Sequence, residues 1–431
     1  MRNGILVGTV GAASLLCTGI AVQVTAQKAG GPKARYQMDV TTASGMPGMA
    51  GSMGGSGGGS GSGDARPRGG GLGGMFGGGG GIAGMMGGNG PRHTVDLRLG
   101  STLAASGPPI ADHFMPEGMQ LGLSVPLITP TVTPTTPRGE LPTNFERPKG
   151  RMLLFWGCGA KAGPGQPVVI DFAKMAAGQM PPGLSSVSVP ADRGPTQTNS
   201  RTYGYWPNER GRRVEIAANA SLVGPHRVTG NYNPEMKFAL NQDFMAPMRV
   251  QTTEMGNATN ISWNSISSAT GYYAHGIGFS GDGRRQSNDI VWWTSANRQE
   301  FFGGLTDWLS PATVQRLIGE RVVMPPTQTQ CQIPAEVKAA GGEMMMLSMY
   351  AYGPEAGFAY PPRPANPKVA WNPEWTARVR YRSVSNKIVG MPDMDEMMSG
   401  DDDRRGRPEQ PRKKCKGGFG GMLSGAMGGG C

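Results

Sequence analysis

The sequence predicts a mainly β protein: two β-sandwich-like domains with one short inserted helix, flanked by disordered Gly/Met-rich tails. Three observations carry that expectation. Apolar residues recur at every second position in short runs. Gly and Pro clusters separate those runs, and amphipathic helical spacing is nearly absent. The 71 Gly and 36 Pro of the 431-residue chain are unevenly distributed, so part of it lacks the apolar surface to offset its ordering entropy.

The elements follow in order. Arg2, the apolar run from Ile5 to Val22, and Val24-Thr25-Ala26 before Gln27 have the layout of a secretory signal peptide, so residues 1–26 predict export. Leu16 precedes Cys17 where lipid attachment wants a small residue, which argues against an acyl anchor. No later run approaches the roughly 20 apolar residues of a spanning helix, and no transmembrane span is expected. Residues 27–92, rich in Gly, Ser, Met and Pro, are expected to be disordered. Their Gly71-Leu72-Gly73-Gly74-Met75-Phe76 has a near copy in Gly418-Phe419-Gly420-Gly421-Met422-Leu423, which suggests a shared role.

Residues 93–245 read as a first β domain, with strands at His93–Leu99, Met152–Trp156, Val168–Phe172, Arg213–Ala217 and Met236–Leu240. The proline-rich stretch from Pro126 to Pro148 reads as an extended loop or edge. Residues 246–383 read as a second. Met248–Thr253 is its first strand; Ile261 and Trp263 alternate with polar neighbours, Ala269–Gly271 turns, and Tyr272 opens the next. Ile290–Trp293 follows. Ser310-Pro311 is a cap and first-turn proline for a helix over Ala312–Ile318 that stops at Gly319. Met344–Tyr352 and Ala377–Arg382 return to strand, and residues 384–431 form the second tail.

A large ring at Trp263, a turn and the Gly271-Tyr272 pair resemble the B and C strands of a fibronectin type III domain. The resemblance implies a sandwich with Trp263 between its sheets, and it implies no activity. The helix between Trp308 and Pro334 lies outside that family's pattern.

The formal charge of +11 is spread along the chain, and its densest cluster, Arg404 to Lys416, follows Asp401-Asp402-Asp403. Export argues against nucleic acid as the target. Expected partners are an envelope or surface component, protein or glycan, with self-association through the Gly-rich tails. Four cysteines remain after cleavage. They predict disulfides Cys158–Cys331 and Cys415–Cys431, the second equally possible between chains. The alternative for Cys158, a nucleophile flanked by glycines, finds no histidine near it in sequence.

The four histidines have no metal-binding spacing. Gly276 to Gly281 satisfies a dinucleotide glycine pattern, but Asp282-Gly283-Arg284-Arg285 follows where a helix should begin. Among cofactors only copper is suggested, as the alternative reading. Met391, Met394, Met397 and Met398, interleaved with Asp393, Asp395 and Glu396, suit a soft cation. Tyr203 and Trp206, Tyr272 and Tyr273, and Trp292 and Trp293 put rings on both faces of their strands. One of each pair is expected in the core and the other on a platform for a sugar or partner. The function expected is a non-catalytic, exported binding or structural component.

Overall fold

Residues Ala34–Gly45 place Tyr36, Met38 and Val40 on one face and Arg35, Gln37 and Asp39 on the other. They form β1, an interior strand, where the sequence reading expected disorder throughout 27–92. The computed structural model describes residues 31–46, 90–131, 150–179, 189, 194–207, 214, 216–281, 286–300, 304–341, 344–366 and 369–390. The other strands are β2 (Arg92–Ser101), β3 (Ala111–Phe114), β4 (Ser124–Pro126), β5 (Arg151–Trp156), β6 (Val168–Asp171), β7 (Thr202–Trp206) and β8 (Gly224–Gly230). There follow β9 (Met236–Leu240), β10 (Val250–Met255), β11 (Ala258–Trp263), β12 (Gly271–Gly281), β13 (Gln286–Thr294), β14 (Gln330–Ile333), β15 (Met345–Tyr360) and β16 (Trp375–Val389).

The fold is mainly β, with three short α-helices among the described residues rather than the one expected. Helix α1 (Phe172–Ala176) begins where a strand was expected to end, because the Asp171 side chain accepts the Ala173 and Lys174 N–H groups. Helix α2 (Pro311–Gly319) is the expected one, and the Ser310 hydroxyl caps the Thr313 N–H. Helix α3 (Ala335–Gly341) was not foreseen.

Nine strands form one sheet in the order β6-β5-β13-β12-β15-β16-β1-β2-β7. Both expected domain ranges supply strands to it, so residue 245 does not divide it: β5 pairs parallel with β13, and β1 parallel with β16. Two smaller sheets, β10-β11-β14 and β4-β3-β8-β9, cover the same face of the large one. Trp263 meets Tyr272 edge-on at 5.5 Å across one interface, and Tyr36 meets Phe238 at 6.1 Å across the other. Tyr36, Met38, Leu97, Ile261, Tyr272, Trp293, Leu347 and Val379 thus belong to one continuous core. On the opposite face α2 and its flanking loops cover Tyr273, Tyr350 and Tyr352.

β1 and β2 are antiparallel neighbours, Ala43 opposite Arg92. The Gly/Met-rich run is therefore the connection of a hairpin and not a terminal tail. β16 continues to Val389, past the expected start of the second tail at 384. Because β1 and β16 run parallel with Gly45 opposite Asn386, and Met46 N–H donates to the Asn386 carbonyl at 2.9 Å, both Gly/Met-rich segments leave the same end of the sheet.

Cys158 and Cys331 are joined, as the cysteine pattern predicted. The bridge ties the end of β5 to β14 across a sequence separation of 173. Reduction is expected to lower stability by about 2–4 kcal/mol. Thermal unfolding with and without a thiol reductant checks this, and equal midpoints would contradict it.

Candidate functional site

The segment Thr376-Ala377-Arg378-Val379-Arg380-Tyr381-Arg382 alternates strictly, and β16 turns that alternation into two faces. Ala377, Val379 and Tyr381 enter the core. Arg378, Arg380 and Arg382 lie on the other face, where the parallel register sets Gln37 opposite Arg378, Asp39 opposite Arg380 and Thr41 opposite Arg382.

Asp39 is the centre of this array. It is 1% exposed, and Arg380, 4% exposed, gives it two hydrogen bonds of 2.7 Å. Arg98 of β2 adds a third ion-paired contact, and the Gln37 amide donates at 3.1 and 3.2 Å. Burial alone would raise the Asp39 carboxyl, but the bonds and charge of Arg380, with Arg98 and Gln37, hold it below its ordinary value. The Gln37 carbonyl accepts from Arg378 at 2.7 Å, so one amide orients both charges. Arg380 and Arg382 lie over the Trp308 ring at 4.9 and 4.1 Å, and Arg382 donates to Thr41 Oγ1 at 3.1 Å.

Beside this network, at the Ala34 end of β1, a groove of about 670 Å³ opens between Arg35, Gln37, Glu355, Arg363, Trp371 and Arg378. Three guanidinium groups thus face one carboxylate. The Trp371 indole N–H donates to the Pro361 carbonyl at 3.0 Å, and Arg363 stands 5.5 Å over its ring. Desolvation raises the Glu355 carboxyl above its ordinary value, more than the nearby Arg378 lowers it. The arrangement offers planar charge-assisted donors, one acceptor and an aromatic wall, which suits binding of an anion-bearing molecule.

Most residues expected to form an aromatic platform are elsewhere. Tyr272, Tyr273, Trp292 and Trp293 are all buried, because both faces of β12 and β13 are covered, and Trp206 is buried as well. Tyr203 is half-buried and stacked on Tyr205 at 6.1 Å, with its hydroxyl pushed up to about 12 by burial. Gly276 and Gly278 serve packing: a Cβ would meet Met345 Sδ at 2.7 Å in the first and the Gly341 backbone at 3.0 Å in the second. The disulfide removes the Cys158 thiol from consideration. Cys415, Cys431, Met391, Met394, Met397 and Met398 lie outside the described residues. Among the described residues no three His, Cys, Asp or Glu gather as a metal site.

The four histidines all lie in strands, β2, β3, β8 and β12, and all are buried. Tyr36 O–H, His113 and His226 form a chain ending on the Leu222 carbonyl, with links of 2.6, 3.0 and 2.8 Å. With both rings neutral its polarity is fixed by the carbonyl at its end: His226 Nε2–H donates to Leu222, His113 Nε2–H to His226 Nδ1, and Tyr36 O–H to His113 Nδ1. Burial lowers the pKa of His113 and of His226. The pair is 113 residues apart in sequence, and no spacing signal announces it.

Compared with known protein families, curated proteins and solved structures, the chain matches none.

Proposed function

We propose that the chain is an exported, non-catalytic envelope or surface component that is attached through its Gly/Met-rich segments and binds a partner or glycan through its folded body. The observation that carries this reading is the separation of the two ends of β1. At Gly45 both repeated-motif segments leave together, and at Arg35 the arginine-lined groove opens. Ten strand residues put them about 33 Å apart. A body held at one end thus presents its groove at the other. The same face-covering pattern supports a fibronectin type III-like unit within the larger assembly: β10-β11-β14 lies over β13-β12-β15-β16 with Trp263 against Tyr272 between them.

The test is fractionation of cells making three forms of the protein: the intact chain, one ending at Gly390, and one with residues 47–89 replaced by a short turn. The hairpin pairing of β1 with β2 allows that replacement. Export of all three, with envelope retention reduced in both shortened forms, is expected. Retention of the intact chain in the cytoplasm would overturn the reading.

A further inference from the structure

From the groove at the Ala34 end of β1 we infer a site for an anionic sugar, a saccharide that carries carboxylate or phosphate groups on a ring with free hydroxyls. The inference rests on the binding reading above and specifies its ligand. The groove has the volume of a small-ligand site. Arg35, Arg363 and Arg378 supply forked N–H donors, and such donors match the two oxygens of a carboxylate or phosphate. Arg378 is already oriented by Gln37, whose amide is fixed in turn by Asp39, so its placement needs little ordering when a ligand arrives.

Charge alone would fit any polyanion, but the remaining wall is selective. Glu355 repels a chain of anions that has no donors, whereas it accepts hydrogen bonds from ring hydroxyls. Trp371 lines the groove with Arg363 over one face of its ring, and its other face is of the size that stacks on a sugar ring. An acidic peptide has the anions without the hydroxyls and would meet Glu355 as a like charge.

Gly357 allows a clean block. It lines the groove, lies opposite Arg378 in the β15–β16 ladder, and has nothing within 4 Å of a built Cβ. Gly357→Trp therefore fills the groove from a position where the fold has room.

The experiment is calorimetric titration of the full mature protein with trigalacturonate, galactose 6-phosphate, maltotriose and a short polyglutamate. Both anionic sugars, or one of them, are expected to bind, and which one binds distinguishes carboxylate from phosphate recognition. Arg363→Gln and Arg378→Gln are each expected to weaken that binding tenfold or more, and Gly357→Trp to abolish it with an unchanged thermal midpoint. Higher salt should weaken it as well. Failure of both anionic sugars to bind, maltotriose binding equally well, or polyglutamate binding more tightly would each overturn the inference. Envelope retention with no anionic-sugar binding would sink this ligand class and leave the attachment reading standing; a cytoplasmic protein would sink the attachment reading itself.

Discussion

Asp39→Ala is expected to destabilise the protein by about 3–5 kcal/mol, the usual effect of removing one partner from a buried ion pair. The physical reason lies in Arg380. Its guanidinium cannot shed its proton to escape an apolar site, and without Asp39 it loses its buried counter-charge and two hydrogen bonds of 2.7 Å. Arg98 and Gln37 would lose their shared acceptor in the same step. Urea unfolding measures the effect as a lower midpoint. Arg316→Ala serves as the contrast: Arg316 pairs with Glu320 on an exposed turn of α2, and its loss should remove only about 0.3–0.5 kcal/mol. A double replacement, Asp39→Leu with Arg380→Met, should recover part of the loss, since it removes the buried Arg380 charge together with its partner, while Arg98 at 20% exposure still lacks its acceptor. If Asp39→Ala unfolds at the wild-type midpoint, the network does not hold the sheet together.

Acid is expected to have an effect of similar size. All four histidines are shifted downward: burial lowers His93, His113 and His226, and His275 is pushed down to about 4. His275 is stacked between Trp292 at 5.1 Å and Tyr350 at 5.8 Å, where a charged ring would be poorly solvated. The sign follows from proton uptake. Below the unfolded value near 6.5 the unfolded chain binds protons that the folded chain refuses, so stability is full above that pH and falls as pH drops. His275 alone accounts for about 3 kcal/mol by the time pH reaches 4, and His113 and His226 act in the same direction. Urea midpoints at pH 7.5 and 4.5 measure the difference, and His275→Phe should reduce it. Equal midpoints at the two pH values would contradict the account.

How far the sequence revealed these features depends on the range of the interactions. The β2, β5, β9 and β11 strands and the capped helix α2 were legible because alternation and capping are local. β1 carries an equally clear alternation at Tyr36, Met38 and Val40, but it is embedded in Gly-rich sequence whose composition overrode it. Its parallel partner β16 lies some 340 residues away, and no local signal reports such a pairing. The same distance hid the site. Arginines at 378, 380 and 382 on a predicted strand already place three cations on one face, and an Asp with the same spacing as Tyr36, Met38 and Val40 but the opposite parity was there to be noticed. What could not be read was that these two strands are neighbours. The aromatic pairs misled for a related reason: period-two alternation shows that a strand has two faces, and only the layers packed on it decide whether either is exposed.

The most direct test of the account joins its two halves. Mature protein, intact and with Gly357→Trp, is mixed with envelopes isolated from the cells that make it, with and without trigalacturonate and galactose 6-phosphate as competitors. The account predicts that part of the retained intact protein is released by the anionic sugar that binds the groove, and that Gly357→Trp is retained only to the level left after that release. Equal retention of both forms, unaffected by either competitor, would contradict it.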